Sequence, residues 1–177
     1  MKNYRAEFKP YLQDLAKRKP SPGGGSVTAL SFCLGISLLE KAINYSLPKV
    51  GVHSCMPLQK GLVVLKRLKN KIYPCIDRDA EIFAKIMAHQ GARRLKFIRQ
   101  SEAMVIGLGR ASQEAFLVAK ALKSGIKKGI ISDYFIGLEL IKVAFFGCVA
   151  NLEANAWMFG RKSRRLGALK RVLRKWQ

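Results

Sequence analysis

The sequence predicts an all-α protein, an antiparallel bundle of about five long helices closed by a basic C-terminal helix. Apolar residues recur at the three- and four-residue spacing of a helix face over most of the chain, and no segment shows the alternation of a half-buried strand. Turn-forming residues gather at 20–25, 46–54 and 124–129 and cut the chain into long pieces. With 177 residues, 49% of them hydrophobic, there is enough apolar surface for one core, so 1–177 reads as a single domain.

Charge and cysteine content narrow the class. Thirty-three Lys and Arg against 11 Asp and Glu give a net charge of +22, which implies polyanionic partners or an unusually basic solvent surface. Nucleic acid, anionic lipid and an acidic small molecule all qualify. Cys33, Cys55, Cys75 and Cys148 have no paired metal-ligand spacing, and no metal site is expected. Two of them lie inside apolar helical patterns, where a free thiol acts as a small hydrophobe; the chain reads as reduced and cytoplasmic. The N-terminal residues have no hydrophobic signal core. The apolar segments 27–44 and 130–150 carry Ser, Gly, Glu or Lys and are expected as core helices, not transmembrane segments.

In chain order, Tyr4, Phe8, Tyr11, Leu12 and Leu15 form a helical stripe over 3–18 that ends in Lys17-Arg18-Lys19. It predicts a docking helix with a cationic end. The run Pro20-Ser21-Pro22-Gly23-Gly24-Gly25-Ser26 then leaves the chain extended, permits close approaches, and offers Ser26 as a cap for the long apolar helix 27–44. Either this is a tight turn into a core helix, or the N–H groups of Gly23, Gly24, Gly25 and Ser26 face an anionic or carbonyl group of a ligand. It is not a P-loop, since the spacing and the terminal Gly-Lys-Ser/Thr are missing. Residues 46–54 read as a loop, in which His53 is either solvated or a general acid/base.

A helix over 57–89 follows, with the stripe Leu65, Leu68, Ile72, Ile76, position 79, Phe83 and Ile86. Position 79 is Asp. A carboxylate on a core stripe must be paired, protonated or facing a cavity, because burying it ionised and alone costs several kcal/mol. It either caps or pairs with a neighbouring element or belongs to a site. Asp77 lies about 200° away around the helix and can face another surface. The next residues are short and basic; Arg93, Arg94 and Lys96 either form a solvated turn or contact a carboxylate tail.

A fourth helix over 101–124 carries Val105, Leu108, Ala115, Leu117, Val118 and Leu122, weakened by Gly107 and Gly109. After the turn 124–129, Ser132 or Asp133 suits the cap of the last core helix. Asn151 and Asn155 stand one turn apart on one face, where buried amides need partners; they bridge helices or bind a ligand's polar edge. From Arg161 to Lys175 eight basic residues are interspersed with Leu166, Leu169, Val172, Leu173 and Trp176, a basic amphipathic helix. It lies on an acidic partner, nucleic acid or a membrane, or packs its stripe onto the body.

The glycine run continued through Val27-Thr28-Ala29-Leu30 resembles the opening signature of the cyclodeaminase/cyclohydrolase family. That group contains the C-terminal domain of formiminotransferase-cyclodeaminase and stand-alone methenyltetrahydrofolate cyclohydrolases. Ile76-Asp77-Arg78-Asp79-Ala80-Glu81-Ile82-Phe83 is similar to the family's Asp-x-Asp-Ala-x-x-Phe motif, Ser132-Asp133 to its Ser-Asp pair, and the stretch from Gly147 to Asn155 to its Asn-Val-x-x-Asn ending. The resemblance covers about 11–159, which leaves 160–177 as a basic tail. It departs from the family where the segment after His89 is short, where Gly107 stands for a proline, and where Lys127, Lys128 or Gly129 replace asparagines.

The resemblance implies a homodimer and a folate one-carbon enzyme. Such an enzyme hydrolyses methenyltetrahydrofolate or deaminates formiminotetrahydrofolate, needs no cofactor beyond the folate substrate, and accepts it with or without a polyglutamate tail. Asp79 and Asp133 would be catalytic, the first as general base or cation stabiliser. Gly23, Gly24, Gly25, Ser26, Asp77, Ser132, Asn151 and Asn155 would bind substrate. Without a transferase domain in this chain the reading leans to cyclohydrolase. The alternative is a non-catalytic basic protein of the same fold that contacts nucleic acid or another polyanion, which the charge and the departures support.

Overall fold

A computed structural model describes residues 2–48, 56–160, 163 and 165–176. His53, with its neighbours 49–55, lies outside the described residues. All regular structure among the described residues is helical: α1 (Tyr4–Leu15), α2 (Gly24–Ser46), α3 (Met56–Ile72), α4 (Cys75–Ala88), α5 (Gly91–Leu122), α6 (Ile131–Phe159) and α7 (Leu166–Arg174), with two short 3₁₀ turns before α6.

The centre of the protein is the pair α2 and α6. Gly35 and Gly137 let their backbones meet: a β-carbon at position 35 would stand 2.8 Å from the Gly137 carbonyl oxygen, and one at 137 would stand 2.9 Å from that of Gly35. Thr28 lies against Gly147 and Gly24 against Asn151, so α6 numbers fall as α2 numbers rise and the two helices run in opposite directions. Around this contact Phe32, Ile36, Leu39, Ile141, Phe145 and Cys148 are fully buried. Both helices are apolar and long enough to cross a membrane, and about half of each apolar stretch is buried within the protein. Helices α3, α4 and α5 close the remaining sides of the core.

Two expectations change. The single helix over 57–89 is broken at Tyr73-Pro74 into α3 and α4. Proline has no N–H and disfavours helical geometry in the residue before it, so the chain turns there and restarts with Pro74 as the N-cap of α4. The basic stretch after His89 is no turn, because α5 begins at Gly91. Its first turns have surfaces to dock on: the Phe97 ring lies 5.1 Å from that of His89, and the Arg94 guanidinium lies 5.8 Å over Phe159. Thus Arg93 and Lys96 are exposed helical cations, and Arg94 is half-buried.

The tail helix packs its stripe onto the body. Leu169 is buried, and Trp176 stacks between Phe116 (4.3 Å) and Phe145 (4.6 Å) while Arg171, Arg174 and Lys175 stay exposed. Helix α1 has no buried residue and is tied to α2 chiefly through Tyr11.

The close α2–α6 contact makes a clear stability prediction. Gly35→Val forces the backbones apart and should cost at least the 1–3 kcal/mol of an overpacked core, whereas Gly107→Ala, with open space around its β-carbon, should gain about 0.5–1 kcal/mol. Urea denaturation of the two variants checks both signs.

Candidate active site

The glycine run enters α2 from an extended conformation. Gly23 is the N-cap, at φ −138° and ψ −160°, and no side chain of its own segment caps the helix. Ser26 is therefore not the cap expected from sequence. It is the third residue of α2, it is buried, and its hydroxyl meets the Tyr11 phenol at 3.0 Å. The first N–H groups of a helix have no carbonyl behind them. Here Asp79 of α4 fills the gap: its carboxylate accepts from the Ser26 backbone N–H and rests directly on Gly25. A β-carbon at position 25 would collide with the carboxyl carbon and both oxygens, so only glycine admits this contact.

Asp79 is half-buried, and burial pushes its carboxyl above the ordinary aspartate range; the Ser26 N–H draws it back by less. Neither influence is a cation, despite the 33 Lys and Arg in the chain. The glycine-turn donors thus face an anion of the same chain. A second anion would be repelled from this spot, and a cation or a water with a proton to lose would be welcome.

Helix α6 completes the neighbourhood. Asn151 Nδ2 donates to the Gly147 carbonyl at 2.8 Å and to Thr28 Oγ1 at 3.2 Å, while Thr28 Oγ1 donates to the Gly24 carbonyl at 2.6 Å. Asn151 is thus a bridge between α2 and α6 whose donors are spent and whose Oδ1, beside Gly24, remains an acceptor. One turn on, Asn155 Nδ2 makes a longer bond of 3.4 Å to Ser101 of α5. The fold therefore gathers Gly23, Gly24, Gly25, Ser26, Asp79 and Asn151, with Asn155 a turn away.

It does not bring Asp77, Ser132 or Asp133 to that point. Asp77 is exposed and lines a cavity of about 520 Å³ with Tyr11, Cys33, Lys69 and Tyr73, which adjoins the glycine turn through Tyr11 and does not include Asp79. Ser132 is exposed, and the N-cap of α6 is Ile130, so neither member of the Ser-Asp pair caps the helix. Asp133 sits in the first turn and pairs with Lys41 at 2.5 Å. From Gly25 to Lys41 the α2 axis runs about 24 Å at 1.5 Å per residue, far beyond any shared contact. Among the described residues no three His, Cys, Asp or Glu side chains cluster as metal ligands would.

Sequence reasoning missed Tyr11 and Thr28 as site residues. Thr28 stands one turn after Gly24, and that spacing was the available signal; Tyr11 has only its place on the stripe of α1.

A family model for formiminotransferase-cyclodeaminase matches residues 7–166. Among solved structures, formiminotetrahydrofolate cyclodeaminase from Thermotoga maritima is similar at 19% sequence identity and a TM-score of 0.78, over 94% of this chain and 86% of that one. At that identity the likeness is one of fold. No curated protein matches.

The raised Asp79 carboxyl has a pH signature. Its protonated form is favoured in the folded state, so its contribution to stability is fully present below the unfolded value near 3.8 and is lost as pH rises through the higher folded value. Asp79→Asn keeps an acceptor for Ser26 and removes the buried charge. The variant should melt above the wild type at pH 7, and the gap should close toward pH 4.

Proposed function

Because the chain belongs to the formiminotransferase-cyclodeaminase family, we propose that it is a folate one-carbon enzyme acting at the carbon that links two nitrogens of tetrahydrofolate. The observation that carries the reading is the Asp79 carboxyl, half-buried, raised by burial and seated on the glycine turn.

Two reactions meet the same demands. In methenyltetrahydrofolate hydrolysis, water adds to a delocalised cation: its oxygen bonds to the bridging carbon, and its proton passes to Asp79. One carbon–nitrogen bond then breaks as a proton reaches that nitrogen, which leaves a formyl group. In formiminotetrahydrofolate deamination, the second bridging nitrogen, an exocyclic N–H, bonds to the carbon of the protonated formimino group; its proton passes to the terminal nitrogen, and that carbon–nitrogen bond breaks to release ammonia. Both pass through a tetrahedral adduct, and both gain from a fixed negative charge beside the reacting carbon. Partial burial strengthens that charge and its basicity together.

The other residues take supporting roles. Ser26, held by Tyr11, fixes the orientation of Asp79 through its N–H. Asn151 offers only Oδ1, so it accepts from a donor on the substrate's ring edge, and Asn155 adds a donor or acceptor a turn away. Asp133 is too distant within one chain, so any part it has in the chemistry comes from a second copy. Such a copy has a place to bind. Ile136, Val143 and Phe146 form an exposed apolar stripe at helical spacing on α6, each more than half exposed. A homodimer covering this stripe is part of the proposal.

The test of function is the decay of methenyltetrahydrofolate absorbance, with ammonia release from formiminotetrahydrofolate measured beside it. The wild type should accelerate one of the two, and Asp79→Asn should lower kcat by about 10²–10⁴-fold, the usual worth of a positioned acid/base. Equal rates in both proteins would remove Asp79 from the chemistry, and no acceleration of either reaction would remove the function. For the dimer, Phe146→Asp should convert a dimeric wild type to monomer in sedimentation velocity.

A further inference from the structure

A second feature lies on the α5 side of the molecule. Two adjoining cavities, of about 430 and 340 Å³, share the walls Ala103 and Gly107 of α5. Lys71 and Arg78 line the first, with Gln100 and Cys75; Arg99, Arg110 and Arg165 line the second, with Glu102. Together they form one groove along α5, joined at Ala103 and Gly107 and lined also by Ile72, Ile82, Met104 and Ile106. Five cations from α3, α4, α5 and the segment leading into α7 converge on it, against one carboxylate. None of the five enters an ion pair among the described residues. The charges of Arg78 and Lys71 both reach the Cys75 thiol, as does the opposing charge of Asp79. Leu169 of α7, 3.5 Å from where a Gly109 β-carbon would stand, holds the tail against α5 beside this groove.

We propose that this groove binds the sugar–phosphate backbone of single-stranded nucleic acid. Like charges gathered in a concave channel repel one another, and a string of anions relieves that repulsion. From Arg99 to Arg110 the channel runs about 16 Å along α5, room for several phosphates. Four of the five cations are Arg, whose planar fork grips phosphate oxygens in pairs. A membrane surface would meet a flat or convex face, not a concave channel lined by cations. Among the described residues no aromatic side chain lines the groove, so recognition rests on phosphates without base stacking and is strongly salt-dependent. The net charge of +22 attracts such a strand from a distance. The groove adjoins the candidate active site through Arg78, next to Asp79 in α4, but uses other side chains, and the proposal does not depend on the folate chemistry.

The test is fluorescence anisotropy of a labelled oligouridylate of about 20 nucleotides, long enough for the several phosphates proposed to be gripped, titrated with the full chain at several salt concentrations. Arg78→Gln, Arg99→Gln and Arg110→Gln combined should weaken binding at low salt by at least about tenfold and reduce the slope of log K against log salt by about 2, near 0.7 for each phosphate no longer neutralised. Lys9→Gln, Lys60→Gln and Lys128→Gln combined remove the same charge from exposed positions elsewhere and should leave the slope in place. Circular dichroism verifies that both variants stay helical. Three results would each overturn the proposal: no binding by the wild type, equal losses in the two triple variants, or displacement of the oligonucleotide by oligoglutamate or phosphatidylserine vesicles of matched charge.

Discussion

A carboxylate can rest on the first turn of α2 only where residue 25 has no side chain, and the functional half of the molecule follows from that contact. With Gly25 in place, Asp79 reaches the unsatisfied N–H of Ser26 and becomes the missing cap of a helix to which it does not belong. The contact fixes α4 against the start of α2. Because α4 is short and begins at a proline break, its orientation is set by what it touches more than by continuity with α3. The proposed chemical role of Asp79 and its structural role therefore share one geometry. The group that completes the helix is also the group left with raised basicity, because the burial that seats it also strips water from it.

The same helix is held from the other side by α6. Gly35 against Gly137 brings the two backbones close enough that polar side chains further along, Thr28 and Asn151, bond across the seam at 3.2 Å. Any widening at the glycine pair would lengthen that bond and tilt the first turn of α2, on which Asp79 depends. Packing in the middle of the core and polar geometry at its end are thus one mechanical unit. A helix pair joined by glycines has few side-chain rotamers to absorb strain, so displacement at one end is felt at the other.

Much of this was legible in the sequence because it rests on periodicity and on residues that violate it. The apolar runs marked out α2 and α6, and Asp79 stood out as a charge on a core stripe. The capping alternative weighed for that residue is the contact observed. What was not legible depended on partners distant in the chain. The stripe counted from Leu65 to Ile86 continues across Pro74 because Ile76, just past it, still packs on the core of Leu65, Leu68 and Ile72, which hid the break. Ile82, not Phe83, is the buried residue after it. Ser26 has the composition of a cap, but only the structure shows Asp79 taking that place. Ser132 and Asp133 likewise look like caps locally, while Lys41, nearly 100 residues earlier, claims Asp133.

Charge is distributed with a logic of its own. Eleven acids can neutralise at most a third of 33 cations, so most Lys and Arg must face water or an external anion. A uniformly cationic body would lower the pKa of every carboxyl within reach, about 10 Å at 0.1 M salt. Asp79 moves the other way: desolvation dominates, and neither influence on it is a cation. Across α5 the balance reverses, with Lys71, Arg78, Arg99, Arg110 and Arg165 around a groove lined, among the described residues, by one acid, Glu102. A fold that merely tolerated excess charge would scatter it to reduce self-repulsion. Gathering cations in one concavity while keeping them off one carboxylate instead suits the two ligands proposed, a cationic centre and a string of anions.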